Sequence, residues 1–428
     1  MVKRNILLIT IFLFGFVLRI QGIKFGLPSK NLALTTYNPD EPITYYTIEK
    51  WNPKKLDFHP HRTFLWGGFH LYPLAASLGI AKVSGYLKLG SREFFINNLK
   101  ETDKLYLVGR FLMILFAVGS IFLISLIGKE AYNQNTGLLL AFLLTITPAH
   151  IFNSIYVRPD IMMLFFALVS LYFAVKLLKT GQTKFYILSS VFVGLATGTK
   201  LSGAVYGIAP IVAHFLASSP YPLPQGKRFK VRVIREKIKD LRLYFIPLIC
   251  LLSFCLSSPY VIIDFNRSSE SFLSYLKLNL SLARGTMDFG QHTLYGTGMK
   301  SYLKYYLPYG LGTGIVVGGI IGLLLMLFNI VKNRDKFDLL FLISGLVVLL
   351  VISSTKNQMV SYTFPVIPFF IIYAMRSLTA LINTNSKRIY TNSLKFLLIA
   401  FIFGYATVYS LANLNLYRGK NVREEVSE

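Results

Sequence analysis

Two carboxylates stand side by side in Asn38-Pro39-Asp40-Glu41-Pro42, between prolines that stiffen the turn and hold the pair in place. A carboxylate so placed can take a proton from a hydroxyl that is brought to it. The string is also an ordinary polar turn in which the aspartate caps the next helix, and the local pattern asks for no more than that. A third carboxylate, Asp160, follows Arg158 and Pro159 at the mouth of an apolar run, where capping is again the plain account. Two such carboxylates projected to one face are harder to explain as caps.

Cations complete the set. Lys200 lies in Gly198-Thr199-Lys200-Leu201-Ser202-Gly203, a small-residue turn between two apolar runs, where a positive charge has little reason to exist unless it meets an anion. Arg158, Arg284 and Lys356 are further candidates for holding an anionic group. Each could equally lay its stem along a membrane and reach for water, which is the simpler account of Arg284. His59-Pro60-His61 has no regular ligand spacing. Pairing either histidine with Asp40 or Glu41 around a divalent metal stands against the plainer reading of a hydrogen-bonded loop imidazole.

These residues must be positioned by a membrane protein. Of 428 residues 54% are apolar, about 231, which is enough for roughly eleven spans of 20 residues. Charged residues are only 15%, yet the net charge is +26. A soluble globular class, disorder and a disulfide scaffold are excluded by that apolar content and by two cysteines, Cys250 and Cys255, that share one apolar run. The bases fall in loops, most densely at Lys227, Arg228, Lys230, Arg232, Arg235, Lys237, Lys239 and Arg242. No aromatic platform or zinc spacing accompanies them, so they mark a cytoplasmic loop and not a nucleic-acid surface.

From that loop the topology can be walked in both directions. The expected spans are 5–22, 105–127, 137–155, 161–178, 185–199, 201–217, 243–263, 307–331, 337–352, 363–375 and 394–414, eleven in all. The first is an uncleaved anchor, because no small-residue cleavage site follows it. The run 66–89 falls between two segments assigned to the outside and contains His70, Pro73, Lys82, Lys88 and several glycines. It is expected to lie along the membrane interface; the alternative is a true span with the charge rule failing at one loop. The fold class is therefore all-α and multi-span, with outer loops at about 24–104 and 264–306. Asp40, Glu41, Glu49, Asp57, Asp160 and Asp264 lie on the outer face, with His59, His61, His70 and His292.

Several stretches in this order resemble the GT-C class of integral-membrane glycosyltransferases, in particular the dolichyl-phosphate-mannose protein mannosyltransferase-like family 39 and its aminoarabinose-transferase relatives. They are Asn38-Pro39-Asp40-Glu41, Gly109-Arg110-Phe111, Gly137 through Pro148, Tyr156-Val157-Arg158-Pro159-Asp160, Gly194 through Lys200, Ser258-Pro259-Tyr260 through Asp264, and Ser361-Tyr362-Thr363-Phe364-Pro365 through Pro368. The resemblance covers residues 1–375, with 376–428 as a connector, last span and outer tail. It implies that Asp40 is the catalytic base with Glu41 beside it, that Asp160 is the second acidic site residue, and that the outer cavity accepts a polyprenyl-phosphate sugar. It also implies a juxtamembrane helix after the acidic loop. Tyr362 lacks the arginine that precedes it in several relatives, a role open to Lys356.

The expected function is transfer of a sugar from a polyprenyl-phosphate donor to a hydroxyl of a lipid, glycan or protein on the extracytoplasmic side of a cell membrane. A sugar on a lipid phosphate already has a good leaving group, so one base is the main demand. Lys200, Arg158 and Lys356 would hold the phosphate, and Asp160 would orient the acceptor or a metal. The rival is a transporter or flippase of a lipid-linked or anionic solute, although neither internal repeats nor paired broken segments are apparent. A non-catalytic membrane scaffold is the third reading.

Overall fold

A computed structural model describes residues 2–31, 35–217, 229–287, 295–383 and 389–418; His292, Lys227, Arg228, Lys387 and Arg388 lie outside them. Among the described residues the chain is helical, with two isolated β-bridges and no strand. Among the described residues five helices are long and apolar enough to cross a bilayer: Leu99–Ala131, Pro159–Thr180, Thr313–Asn333, Lys336–Ser354 and Lys395–Tyr417. A sixth crossing is available to the bent pair Gln134–Thr145 and Pro148–Ser154. The helix Val2–Ile20 carries three cations in 19 residues but is about 28 Å long, close to the hydrocarbon thickness. Shorter apolar helices, Leu71–Val83, Leu201–Leu216, Arg242–Ser257 and Ile367–Asn383, complete a multi-pass bundle.

Pro159–Thr180 is the axial helix: 72% of its apolar window is buried inside the protein, against 22% for Lys395–Tyr417 at the periphery. It packs between Leu99–Ala131 and Thr183–Thr199. Ile161, Leu164, Leu168 and Leu171 are fully enclosed. On Arg242–Ser257, by contrast, Leu248, Leu251, Leu252 and Leu256 face outward, as expected of side chains whose solvent is lipid.

The expected spans differ from these helices where the backbone has a reason to break. The run 137–155 bends by 61° between Thr145 and Pro148, because proline cannot donate to the preceding turn. The run 201–217 opens as a 3-10 helix, Leu201–Gly207, before Ile208–Leu216. The run 243–263 stops at Ser257 ahead of Pro259, and 307–331 is interrupted at Gly312, whose φ of +86° a helix cannot contain. The run 66–89 yields only Leu71–Val83, about 20 Å long and too short to cross a bilayer of about 30 Å.

One further helix escapes hydropathy entirely. Phe272–Arg284 lies within the loop 264–306, opened by Ser271, whose side chain accepts from the Ser274 backbone N–H. Gly285 closes it with a left-handed φ of +69°.

Candidate functional site

The two neighbouring carboxylates part company at the first turn of Asp40–Glu49. Glu41 points inward and is completely buried against Arg110, itself completely buried. Its carboxylate accepts from four donors: Arg110 Nε at 3.0 Å and Nη2 at 2.7 Å, Thr36 Oγ1 at 2.5 Å and the Val157 backbone N–H at 2.9 Å. Arg110 Nη1 donates to the carbonyls of Ile23 and Phe25 at 2.8 and 2.7 Å. Every part of this pair is engaged, so Glu41, grouped with Asp40 by the sequence, is closed to any substrate. It clamps the segment after Val2–Ile20 and the approach to Asp160 onto Leu99–Ala131.

Asp40 turns the other way and keeps 29% of its side chain exposed, paired with Arg158 Nη2 at 3.1 Å. Arg158 is extended at the residue before Pro159, which suits the position before proline and aims its guanidinium across the mouth of the axial helix. Its Nε lies 3.6 Å from Asp160 Oδ2, an ion-pair distance without a hydrogen bond. Asp160 sits in the first turn of Pro159–Thr180, where the helix dipole favours negative charge, and Lys200 Nζ donates to its Oδ1 at 2.6 Å. Lys200 thus meets an anion, as the turn suggested, and that anion is Asp160 of the same chain.

Lys200 is held by a close approach of two backbones. It ends Thr183–Thr199 in an extended conformation and forms a β-bridge with Gly67, flanked by Leu201 N–H to Trp66 O at 2.7 Å and Phe69 N–H to Gly198 O at 2.8 Å. A Cβ on Gly67 would lie 2.3 Å from the Gly198 carbonyl oxygen, so glycine is required there. Tyr362 offers its ring face to Lys200 Nζ, 5.5 Å from the centroid.

His70, which the sequence placed outside but assigned no role, belongs to this cluster. It is 2% exposed and neither ring nitrogen has a hydrogen-bond partner in the protein. Burial, opposed by the field of Asp160 and assisted by that of Lys200, pulls its pKa down to about 3, so the imidazole is neutral. Asp160 Oδ2 and Arg158 Nε are likewise buried without hydrogen-bond partners. The arrangement is a chain of alternating charge, Asp40, Arg158, Asp160, Lys200, with unused donor and acceptor capacity in its buried members and a half-open carboxylate at its end.

Two other sequence candidates lie elsewhere. Lys356 is exposed; its backbone N–H donates to Ala283 O at 2.9 Å and its stem runs past Gly285, at the end of the helix Phe272–Arg284. His59 and His61 do not pair with Asp40 or Glu41: His59 Nε2 lies 2.9 Å from Asp264 Oδ2 and His61 Nδ1 lies 2.6 Å from Glu270 Oε2. Packing draws the two histidines away from Asp40 and Glu41, since the loop 52–65 lies on the segment after Ser258, with Tyr260 Oη accepting from the Phe58 N–H at 2.8 Å.

Beside the helix of Asp40, a cavity of about 380 Å³ opens between Asp40–Glu49, Leu71–Val83 and the start of Leu99–Ala131, lined by Pro42, Tyr45, Leu78, Ile96, Leu105 and Tyr106.

The profile of the dolichyl-phosphate-mannose-protein mannosyltransferase family matches residues 102–234, which include Arg110, Arg158, Asp160 and Lys200 but not Asp40. No curated protein matches the chain in sequence. Among solved structures, the oligosaccharyltransferase AglB of Archaeoglobus fulgidus, in complex with an inhibitory peptide and a dolichol-phosphate, is similar over 98% of this chain at 13% identity, with a TM-score of 0.60. ArnT of Cupriavidus metallidurans, bound to undecaprenyl phosphate, is similar over 99% of this chain at 13% identity, with a TM-score of 0.56. The chain spans little more than half of the archaeal protein, 56%, and 74% of the bacterial one. The chain therefore shares the fold of these two solved proteins, and the profile match agrees with the resemblance read from the sequence.

Proposed function

We propose that the chain is a glycosyltransferase that moves a sugar from a polyprenyl-phosphate donor to a hydroxyl acceptor on the extracytoplasmic side of the membrane. The observation that carries this reading is the alternating cluster Asp40, Arg158, Asp160, Lys200 at the mouth of the axial helix, with buried polar atoms left unpaired beside a half-open carboxylate. A fully paired cluster would serve as a strut; this one has capacity left for a polar ligand.

Asp40 accepts the proton of the acceptor hydroxyl as its oxygen attacks the anomeric carbon. The bond from that carbon to the phosphate oxygen breaks, and polyprenyl phosphate departs with the electron pair, giving inversion. Arg158 and Lys200 lie close enough to the same mouth to stabilise the leaving phosphate, each already oriented by a carboxylate so that little reorganisation is needed. Asp160 holds both cations in place, and neutral His70 offers one donor and one acceptor to a hydroxyl of the sugar. The apolar cavity beside Asp40–Glu49 suits the first isoprene units of the donor. The extracytoplasmic placement rests on the charge of the loops.

The test is a panel of polyprenyl-phosphate sugars presented to the purified chain in proteoliposomes, with released polyprenyl phosphate and lipid movement followed together. Release that depends on an added hydroxyl acceptor supports the reading. Translocation of an intact lipid-linked sugar without release would establish the transporter instead.

A further inference from the structure

We propose that His59, His61 and Glu270 form a divalent-metal site, best suited to zinc, that clasps the first outer segment to the segment preceding Phe272–Arg284. One ligand atom from each of the three lies within 4.8 Å of the others, and all three residues are partly buried. Two imidazoles and a carboxylate are a donor set that zinc accepts at about 2.0–2.2 Å, with the fourth tetrahedral position left to water.

The surroundings of His59 are what a metal-binding histidine needs. Its Nε2 faces Asp264 Oδ2 at 2.9 Å, while its Nδ1 accepts the His61 backbone N–H at 2.9 Å, which assigns the ring proton to Nε2. Ligation through Nδ1 displaces that N–H contact while Asp264 still holds the ring from behind, and a carboxylate behind a ligating imidazole raises its basicity. Asp264 is itself fixed, accepting from the Arg267 and Ser268 backbone N–H groups at 2.9 and 3.0 Å and from Ser268 Oγ at 2.6 Å.

His61 adds a second, independent sign. It adopts a φ of +44°, a left-handed backbone that a non-glycine residue keeps only where its surroundings demand it. That conformation brings Nδ1 to 2.6 Å from Glu270 Oε2, where an ion takes the place of the shared proton, which leaves to solvent, and the two atoms draw apart to their coordination positions. The same loop continues to Gly67, whose bridge positions Lys200, so the clasp steadies the mouth without touching Asp40 or Asp160. The site stands on its own donors and does not depend on which reaction the neighbouring cluster runs.

Cobalt titrated into the full-length, chelator-stripped chain in detergent, in competition with a chromophoric chelator, tests this directly. The expected result is one equivalent bound with the visible absorption of a four-coordinate ion, displaced by zinc, with zinc raising Tm. Asp264→Asn should weaken binding about 10–100-fold. His61→Ala and Glu270→Gln should weaken it further and abolish the zinc-dependent rise in Tm, whereas Asp160→Asn should leave the affinity unchanged. Absence of stoichiometric binding to the wild-type chain, persistence of binding in His61→Ala, or its loss in Asp160→Asn would overturn the assignment.

Discussion

Asp40 and Glu41 are adjacent in the chain and belong to two ion networks of opposite character. Around Glu41 and Arg110 every polar atom is used, by each other, by two backbone carbonyls, by Thr36 and by Val157. Around Asp160 the charges also alternate, but one carboxylate oxygen, the Arg158 Nε and both nitrogens of His70 are buried without hydrogen-bond partners, and the chain of charge ends at half-open Asp40. A saturated buried network fixes backbone, whereas an unsaturated one carries a standing cost that a polar ligand can relieve. Burial and charge alone would rank the two networks together; hydrogen-bond satisfaction separates them.

That contrast can be broken by removing one member of each network. Arg110→Met strands a buried carboxylate and is expected to cost about 3–5 kcal/mol of stability, read as a large fall in Tm in detergent. If Arg110→Met unfolds no more easily than wild type, the closed network is not a strut. Lys200→Met leaves Asp160 with Arg158 as its remaining cation. It should raise the KM for the lipid-phosphate donor about 10–100-fold, the worth of one or two charge-assisted contacts. An unchanged KM would detach the open network from the donor phosphate.

The smallest expected effect is a slope with pH. His70 titrates near 3 when folded and near 6.5 when unfolded, so between these values the unfolded chain binds the extra proton and stability falls as pH falls. The loss is about 1.4 kcal/mol per pH unit, beginning below about pH 6.5 and ending near pH 3. Unfolding of His70→Gln compared with wild type from pH 7 to pH 5 checks this: the wild-type curve should be steeper by that amount, and equal slopes would place His70 in contact with water.

How much of this was legible in the sequence follows from which signals are local. The all-α membrane class came from apolar runs, and Asp40, Arg158, Asp160 and Lys200 stood out because each is a charge beside proline or glycine at the end of such a run. The structure brings those four together. Arg110 entered only as part of the stretch Gly109-Arg110-Phe111, and its pairing was hidden because it lies inside a 33-residue helix, 69 positions from Glu41, which nothing in its own surroundings names. His70 read as one polar residue in an ambiguous run. The eleven expected spans do not all appear as continuous helices, because window hydropathy passes over Pro148 and Gly312, which break the backbone without lowering apolarity. The partners of His59 and His61 lie 205 and 209 residues away, so their pairing was fixed by packing that no local spacing encodes.

Asp40 is the proposed base of the open network, and Asp40→Asn tests that role with least ambiguity. The amide keeps the size of the side chain and its hydrogen-bonding reach to Arg158, so Tm and binding of polyprenyl phosphate should stay near wild type. With a donor that the wild-type chain consumes, the rate of transfer should fall about 10²–10⁴-fold, the usual contribution of a positioned general base. Transfer by Asp40→Asn at the wild-type rate, from protein of wild-type Tm, would contradict it.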